Sequence, residues 1–578
     1  MKAPIALTLM MALLGAVAAN AAPYLYDMGS PDSAVWEGFT RVTPASAWSP
    51  AAGFGWRSPE GMRAVVRRHA EPVENRSRGT QEPPPIWTNP ITEDAILGDR
   101  ENTFLIETPA GDYQLYIVCG SGESFRAQYF DFDVQVNSLT QRVQIEGGYQ
   151  FRTLRFQARV QDGPLTIRFS PRSKWVVNAI LAWLPADANQ IDKEILQPFE
   201  EWTFRLPPHE WAKWQEEPEP DPGPMPPVSD ADRQRGFLVF TRPYTECVYR
   251  RSRPRPEELN PQLRLFATPG EYEPFNFVIH PLRDLDQAQV TVSDLGPIPA
   301  RAVEVRRVRF VRARPNYTVM YRYRWVPDYL ERFTGANLPA GENVRFWLTV
   351  HVPNNTPPGT YTGTVTFTCA SGKAVVPVRL RVLPIRLRED QNKLYAIYYR
   401  HPLDLAAAAE DDVSRAYFRR KAELEHADMV AHGTRNVTLS CPTPAADAQG
   451  NFRFNWDLLA EKFALWKKYG FRGPAVMSIN TNAVYTKYVG ESYGSHLRGV
   501  KAPPEGFSQE ITAMVKAIEA ERLRRGWPEF LYYPVDEPST NPEAVAFMVT
   551  VLKAVKAAGV RTYVTADPTY EQFEPMRP

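Results

Sequence analysis

From about Leu387 onward, short apolar runs alternate with longer segments of helical period, and this rhythm narrows the possible folds more than any other feature of the chain. Leu394-Tyr-Ala-Ile-Tyr-Tyr399 reads as a strand, followed by a helix from Asp412 to His432 that stops at Gly433. Asn436-Val-Thr-Leu439 then precedes a helix over Trp456–Tyr469, with Leu459, Phe463 and Trp466 on one face. Ala475-Val-Met-Ser-Ile479 leads into a long loop and a helix over Gln509–Arg525. Phe530–Val535 is a fourth strand. Its helix starts with Asn541 as cap and Pro542 in the first turn and ends at Gly559, before a fifth strand at Thr562-Tyr-Val-Thr565. Repeated strand–helix units with apolar strands predict a parallel sheet, either a (β/α)8 barrel or an open doubly wound sheet. Roughly 190 residues follow Leu387, whereas a complete barrel takes about 250. The expectation is a barrel-type domain that is incomplete in this chain.

Upstream the period is two, not 3.6. Runs such as Tyr113-Gln-Leu-Tyr-Ile-Val118 and Leu165-Thr-Ile-Arg-Phe169, separated by Gly and Asp turns, predict a β-sandwich over 22–186. The proline-rich stretch Glu216–Pro227 marks 187–232 as a stiff, solvated linker. Strands such as Pro274–Ile279 and Tyr361–Phe367 predict a second sandwich over 233–387, leaving 388–578 as the α/β domain. The fold class is therefore multidomain: two all-β sandwiches followed by a partial (β/α)8 domain. Residues 1–21 read as a signal peptide, with Lys2, an apolar stretch from Ile5 to Val17, and Ala19-Asn20-Ala21 as cleavage site. That implies a secreted or periplasmic protein with no membrane span.

The 67 Lys and Arg balance 66 Asp and Glu, a net charge of +1, which gives no electrostatic case for nucleic acid. Aromatic residues reach 12 %, with 14 Trp and 26 Tyr, a profile suited to filling β cores and to stacking on sugars. Cys119, Cys247, Cys369 and Cys441 lack zinc spacing, and a Cys247–Cys369 bridge is left open. The eight histidines form no HxH or HxxxH pair, and no Gly-rich phosphate loop follows any strand. No metal or cofactor is expected. Oligomeric state is not encoded in these patterns.

In a parallel α/β domain, ligands sit beyond the carboxyl ends of the strands. That rule selects Tyr399, Arg400 and His401 after the first strand, and Asn480 and Asn482 after the third. It adds Tyr533, Asp536 and Glu537 at the fourth and Asp567 at the fifth. Two adjacent carboxylates can divide acid and base roles between them, as glycoside hydrolysis requires. The bland alternative is that the pair merely decorates a helix N-terminus.

Three sets of residues carry a family resemblance. "YLYDMGSPDSAVWEGFTRVTPASAWSPAAGFGW", "TPAGDYQLYIVCGSGES" and "WVVNAILAWL" resemble galactose-binding-like modules of bacterial polysaccharide-degrading enzymes, with "YDMG" where "FDFG" is usual. "TPGEYEPFNFVIHPLRDLDQAQVTVSDL" and "VHVPNNTPPGTYTGTVTF" resemble the sandwich that precedes the barrel in glycoside hydrolase family 123 and its uncharacterised relatives, and "YPVDEPS" resembles the motif closing strand four there. The resemblance implies substrate-assisted retaining hydrolysis of β-N-acetylhexosaminides or galactosaminides. Asp536 would orient the 2-acetamido group and Glu537 would serve as acid and base, with Tyr399, Arg400, His401, Asn480, Asn482, Tyr533 and Asp567 binding the glycan. "DEP" also resembles the Asn-Glu-Pro motif of the large retaining (β/α)8 clan, where Glu537 keeps its role and a separate nucleophile lies beyond Pro578. A non-catalytic, secreted carbohydrate-binding protein is the third reading.

Overall fold

The computed structural model describes residues 23–66, 73–75, 80–82, 89–120, 128–147, 150–196, 213–220, 222–315, 321–388, 390, 393–446, 452–494, 497, 499–537 and 542–565. The signal segment, Asn541 and Asp567 lie outside them. The chain forms a multidomain, largely β protein in two compact units, one of residues 1–208 together with 395–578 and one of residues 209–394.

In the first unit, two five-stranded sheets face each other. One runs Phe151–Val160, Gly111–Gly120, Ala179–Trp183, Tyr24–Met28, Thr40–Val42. The other runs Leu139–Glu146, Tyr129–Val136, Leu165–Pro171, Asn102–Ile106, Phe54–Trp56. Alternate residues of both sheets point inward, and Trp56, Phe104, Phe132, Phe169 and Trp175 fill the space between them. Trp56 and Trp175 sit 5.4 Å apart, and the Trp175 indole donates to the Arg100 carbonyl at 2.6 Å. Burying two indoles with one donor satisfied fixes how the sheets meet.

The same unit contains the α/β elements. Leu439–Ser440, Ala475–Ser478, Phe530–Tyr533 and Arg561–Thr562 form a parallel sheet in that order, and Ala396–Ile397 pairs in parallel with Asn436–Val437. Strand order thus follows chain order without reversal, whereas a doubly wound sheet reverses at a switch point. Helices Asp412–Ala431, Asp457–Lys468, Phe507–Arg525 and Pro542–Lys556 alternate with these strands. Ile511, Met514, Val515 and Ile518 of one pack with Phe547, Met548 and Val551 of the next.

Two elements differ from the sequence reading. The loop after the third strand contains a helix, Thr481–Val489, and a further helix, Pro402–Ala408, starts on a proline. Part of the expected linker is also not free: Gln215–Glu216 forms an edge strand beside Arg322–Tyr323, and Glu219 pairs with Arg250 at 2.8 Å. Its prolines end the pairing, but its acids anchor it.

The N-terminal sandwich packs directly on the helix Asp412–Ala431. Tyr129 and Tyr417 stack at 3.9 Å with their planes 7° apart. Ser414 Oγ accepts the Tyr129 N–H at 2.9 Å, and Glu146 accepts from the Tyr417 hydroxyl at 2.9 Å and from Lys421 at 2.5 Å. Lys174 reaches Asp411 at 3.1 Å.

The second unit is a sandwich of a six-stranded and a five-stranded sheet around Phe237, Phe277, Phe346 and Phe367. Cys247 and Cys369 both lie in it as free thiols, so no bridge joins them. Among the described residues, no helix is long and apolar enough to cross a membrane.

Candidate functional site

The fourth strand of the parallel sheet carries the site. Phe530–Tyr533 pairs with Ala475–Ser478 on one side and Arg561–Thr562 on the other, so its backbone is fixed on both edges. Pro534 and Val535 continue it as buried residues, and Asp536 and Glu537 then emerge exposed. Thr481, itself buried, donates its hydroxyl to the Pro534 carbonyl at 2.9 Å and holds this exit in place.

Asp536 is gripped by two hydroxyls. Tyr533 donates to its Oδ1, and Thr565 lies 3.2 Å from the same oxygen. The two hydroxyls are also 2.7 Å from each other. Two protons serve three short contacts, so either both hydroxyls donate to Asp536 or one relays through the other. Burial, and next the Asp536 carboxylate, push the Tyr533 phenol well above its usual range. Tyr533 therefore stays protonated and acts as a donor. This arrangement sets the orientation of the Asp536 carboxylate.

Glu537 follows with a backbone φ of +34°, and its N–H donates to Thr565 Oγ1 at 3.4 Å. Left-handed backbone costs an L residue with a Cβ about 1–2 kcal/mol. Strain of this kind persists where surroundings over-determine the backbone, and such positions cluster at functional sites.

Two further aromatic rings lie against Tyr533. Tyr398, 63 % exposed, has its ring centroid 6.1 Å from that of Tyr533, and Tyr563 lies 5.3 Å away on another side. An exposed tyrosine face next to the Tyr533 ring, whose hydroxyl holds Asp536, suits a ligand with apolar C–H faces and polar edges.

The other sequence-selected residues fare differently. Tyr399 turns to the opposite side of its strand from Tyr398, and its hydroxyl donates to Glu425 at 2.6 Å. His401 is not at a ligand surface: it is 3 % exposed, caps the helix Pro402–Ala408 by accepting the Leu403 N–H at 3.2 Å, and packs 5.1 Å from the ring of His426. Burial, then the charge of Lys462, push its pKa down to about 2. Arg400 is exposed at the strand end. Asn480 is the N-cap of Thr481–Val489, accepting the Ala483 N–H at 3.0 Å, and also reaches Thr443 at 3.4 Å. Asn482 clasps the backbone of Tyr493 through two hydrogen bonds of 3.3 Å. Asp567 lies outside the described residues.

Sequence reasoning missed Thr565. It closes the expected fifth strand, and its hydroxyl meets Tyr533, Asp536 and the Glu537 N–H. Among the described residues, no group of three His, Cys, Asp or Glu side chains is placed to hold a metal ion.

No family model matches the chain. Beta-agarase A of Zobellia galactanivorans is 28 % identical over 151 residues, which make up 26 % of this chain and 24 % of that protein. The chain thus spans about a quarter of the length of the curated relative it matches. Among solved structures, a family 123 glycoside hydrolase from Clostridium perfringens aligns with 54 % of this chain and 61 % of its own, at a TM-score of 0.42 and 11 % identity. A family 35 carbohydrate binding module from Clostridium thermocellum aligns with 28 % of this chain and 99 % of its own, at a TM-score of 0.15 and 12 % identity.

Proposed function

We propose that this chain is an exported, carbohydrate-active protein of the family 123 type that hydrolyses glycosidic bonds of 2-acetamido sugars, with Asp536 and Glu537 as its catalytic pair. The observation that carries the reading is Asp536, gripped by Tyr533 and Thr565, beside a strained Glu537 at the carboxyl end of a parallel strand. The partial likeness to a beta-agarase supports glycans as the substrate class. Unreversed strand order supports a barrel-type domain over a doubly wound one.

Adjacent carboxylates cannot flank a sugar from opposite faces, so a two-carboxylate displacement is geometrically awkward here. A neighbouring acetamido group removes the difficulty. Its carbonyl oxygen bonds to the anomeric carbon as the glycosidic C–O bond breaks, while Asp536 accepts the acetamido N–H and stabilises the cationic oxazolinium. Glu537 gives its proton to the leaving oxygen. It then takes a proton from the water that attacks the anomeric carbon and reopens the ring, which restores both acid and substrate amide. Tyr533 and Thr565 act through Asp536 as positioning residues. Tyr398 offers a stacking surface for the sugar.

The test is release of reducing sugar from a panel of glycans by the full chain and by Asp536→Asn. The expected result is release from acetamido glycans that falls by about 10²–10³ in the variant. An unchanged rate in Asp536→Asn would sink the assigned mechanism.

A further inference from the structure

The second unit carries an open sheet face that the catalytic reading does not use. Its five-stranded sheet places Leu263–Ala267 in parallel beside Gly372–Val382, which pairs in turn with Gly359–Cys369. One side of all three strands fills the core through residues such as Leu265, Val378 and Val365. Alternation sends the others outward. The outward set is Arg264 and Phe266 on the first strand, and Lys373, Val375, Pro377, Arg379 and Arg381 on the second. On the third it is an unbroken ladder of Thr360, Thr362, Thr364, Thr366 and Thr368. These outward positions include no acidic residue.

Register brings the cations together. Arg264 lies opposite Arg379, and Phe266 opposite Arg381, which is itself paired with Thr360. Neighbouring strands are only about 4.8 Å apart, and like charges directly opposite each other destabilise a sheet. Arg264 is held by Gln262, which accepts from it at 3.0 and 2.7 Å. Among the described residues, neither Arg379 nor Arg381 has a carboxylate partner. Phe266 is 64 % exposed in the midst of these guanidiniums, and with Arg264, Leu265, Thr360, Arg379 and Arg381 it lines a shallow depression of about 240 Å³. The arrangement gains nothing for the fold by itself. It becomes favourable once an anion sits across the arginines.

We propose that this face binds an anionic polysaccharide, whose sulfate or carboxylate groups are held by Arg264, Arg379 and Arg381 while one sugar ring rests on Phe266. Guanidinium forks match both anions in bidentate geometry. The threonine ladder offers hydroxyl donors and acceptors along an extended chain. A flat sheet face suits a linear polymer better than a compact ligand. The choice of a polysaccharide over another polyanion rests on the glycan reading above.

The experiment is affinity electrophoresis of the full chain in gels containing dextran sulfate, polygalacturonate or neutral dextran, with single-stranded DNA as a competing polyanion. Expected are retardation by dextran sulfate or polygalacturonate but not by dextran, its loss at about 0.5 M salt, and binding about tenfold weaker in the Arg379→Gln, Arg381→Gln double variant. That variant relieves like-charge repulsion, so its melting temperature should not fall. Phe266→Ala should weaken binding as well. The proposal is overturned if neither polyanion retards the chain, if the double variant is retarded equally, or if DNA binds more tightly than both polysaccharides. Hydrolysis is assayed in parallel on the same protein. Retardation without hydrolysis would overturn only the catalytic reading, and hydrolysis without retardation would overturn only this one.

Discussion

Replacing Glu537 by Gln should lower hydrolysis of an acetamido glycan by about 10²–10⁴, the contribution of a general acid–base group. Thermal stability should shift by no more than about 0.5 kcal/mol, because the side chain is exposed. Glu537→Gly removes the same carboxylate but also releases the left-handed backbone at φ +34°. That variant should be equally inactive and as stable as wild type or up to about 1 kcal/mol more so. The pair separates chemistry from folding: activity falls in both, while neither variant loses more than about 0.5 kcal/mol of stability. Rates from initial velocities and midpoints from thermal unfolding supply the readouts. Retained activity in either variant would remove Glu537 from the mechanism.

The second large effect is on stability as a function of pH. Asp27 lies in the N-terminal sandwich, 3 % exposed, with its Oδ2 accepting the Trp36 N–H at 2.9 Å. Burial pushes its pKa up to about 8. In the unfolded chain it ionises near the ordinary value of about 4, so the folded protein holds an extra proton between those limits. The stabilisation is complete below about pH 4 and is lost as pH rises through about 8. At about 1.4 kcal/mol per pH unit, the loss between pH 6.5 and 8 is on the order of 2 kcal/mol. Asp94, pushed up by burial to about 6, adds to the same trend below that pH. His401 works in the other direction. Its folded pKa of about 2 lies below the unfolded value, so its contribution is present above about pH 6.5 and is lost as pH falls toward 2. For these three groups together the melting temperature should be highest near about pH 4 and decline on either side of it. Asp27→Asn should flatten the alkaline side only, and identical slopes in wild type and variant between pH 6.5 and 8 would contradict the assignment.

Periodicity made the α/β segment legible. Helices Asp412–Ala431 and Asp457–Lys468 end two residues before Gly433 and Gly470, because a left-handed glycine just past a helix is a local stop signal. Asn480 is equally local: Asn followed by a helix-compatible run is an N-cap signature, and it caps Thr481–Val489. Tyr399 and His401 both stand at a strand end, but their contacts come from the helix carrying Glu425 and His426, which no local pattern reveals. Strand parity alone separates Tyr398, beside Tyr533, from Tyr399. The pairing of Asp536 with Thr565 spans 29 residues, and only the register of Phe530–Tyr533 against Arg561–Thr562 brings them together.

If a neighbouring acetamido group, oriented by Asp536, takes the place of an enzyme nucleophile, two matched aryl β-glycosides, one bearing a 2-acetamido group and the other a 2-hydroxyl, should turn over very differently. Turnover of the acetamido substrate at least about 10³-fold faster, as expected for an internal nucleophile, with that advantage lost in Asp536→Asn, is the expected result. Comparable turnover of both substrates, or an advantage that survives Asp536→Asn, would contradict it.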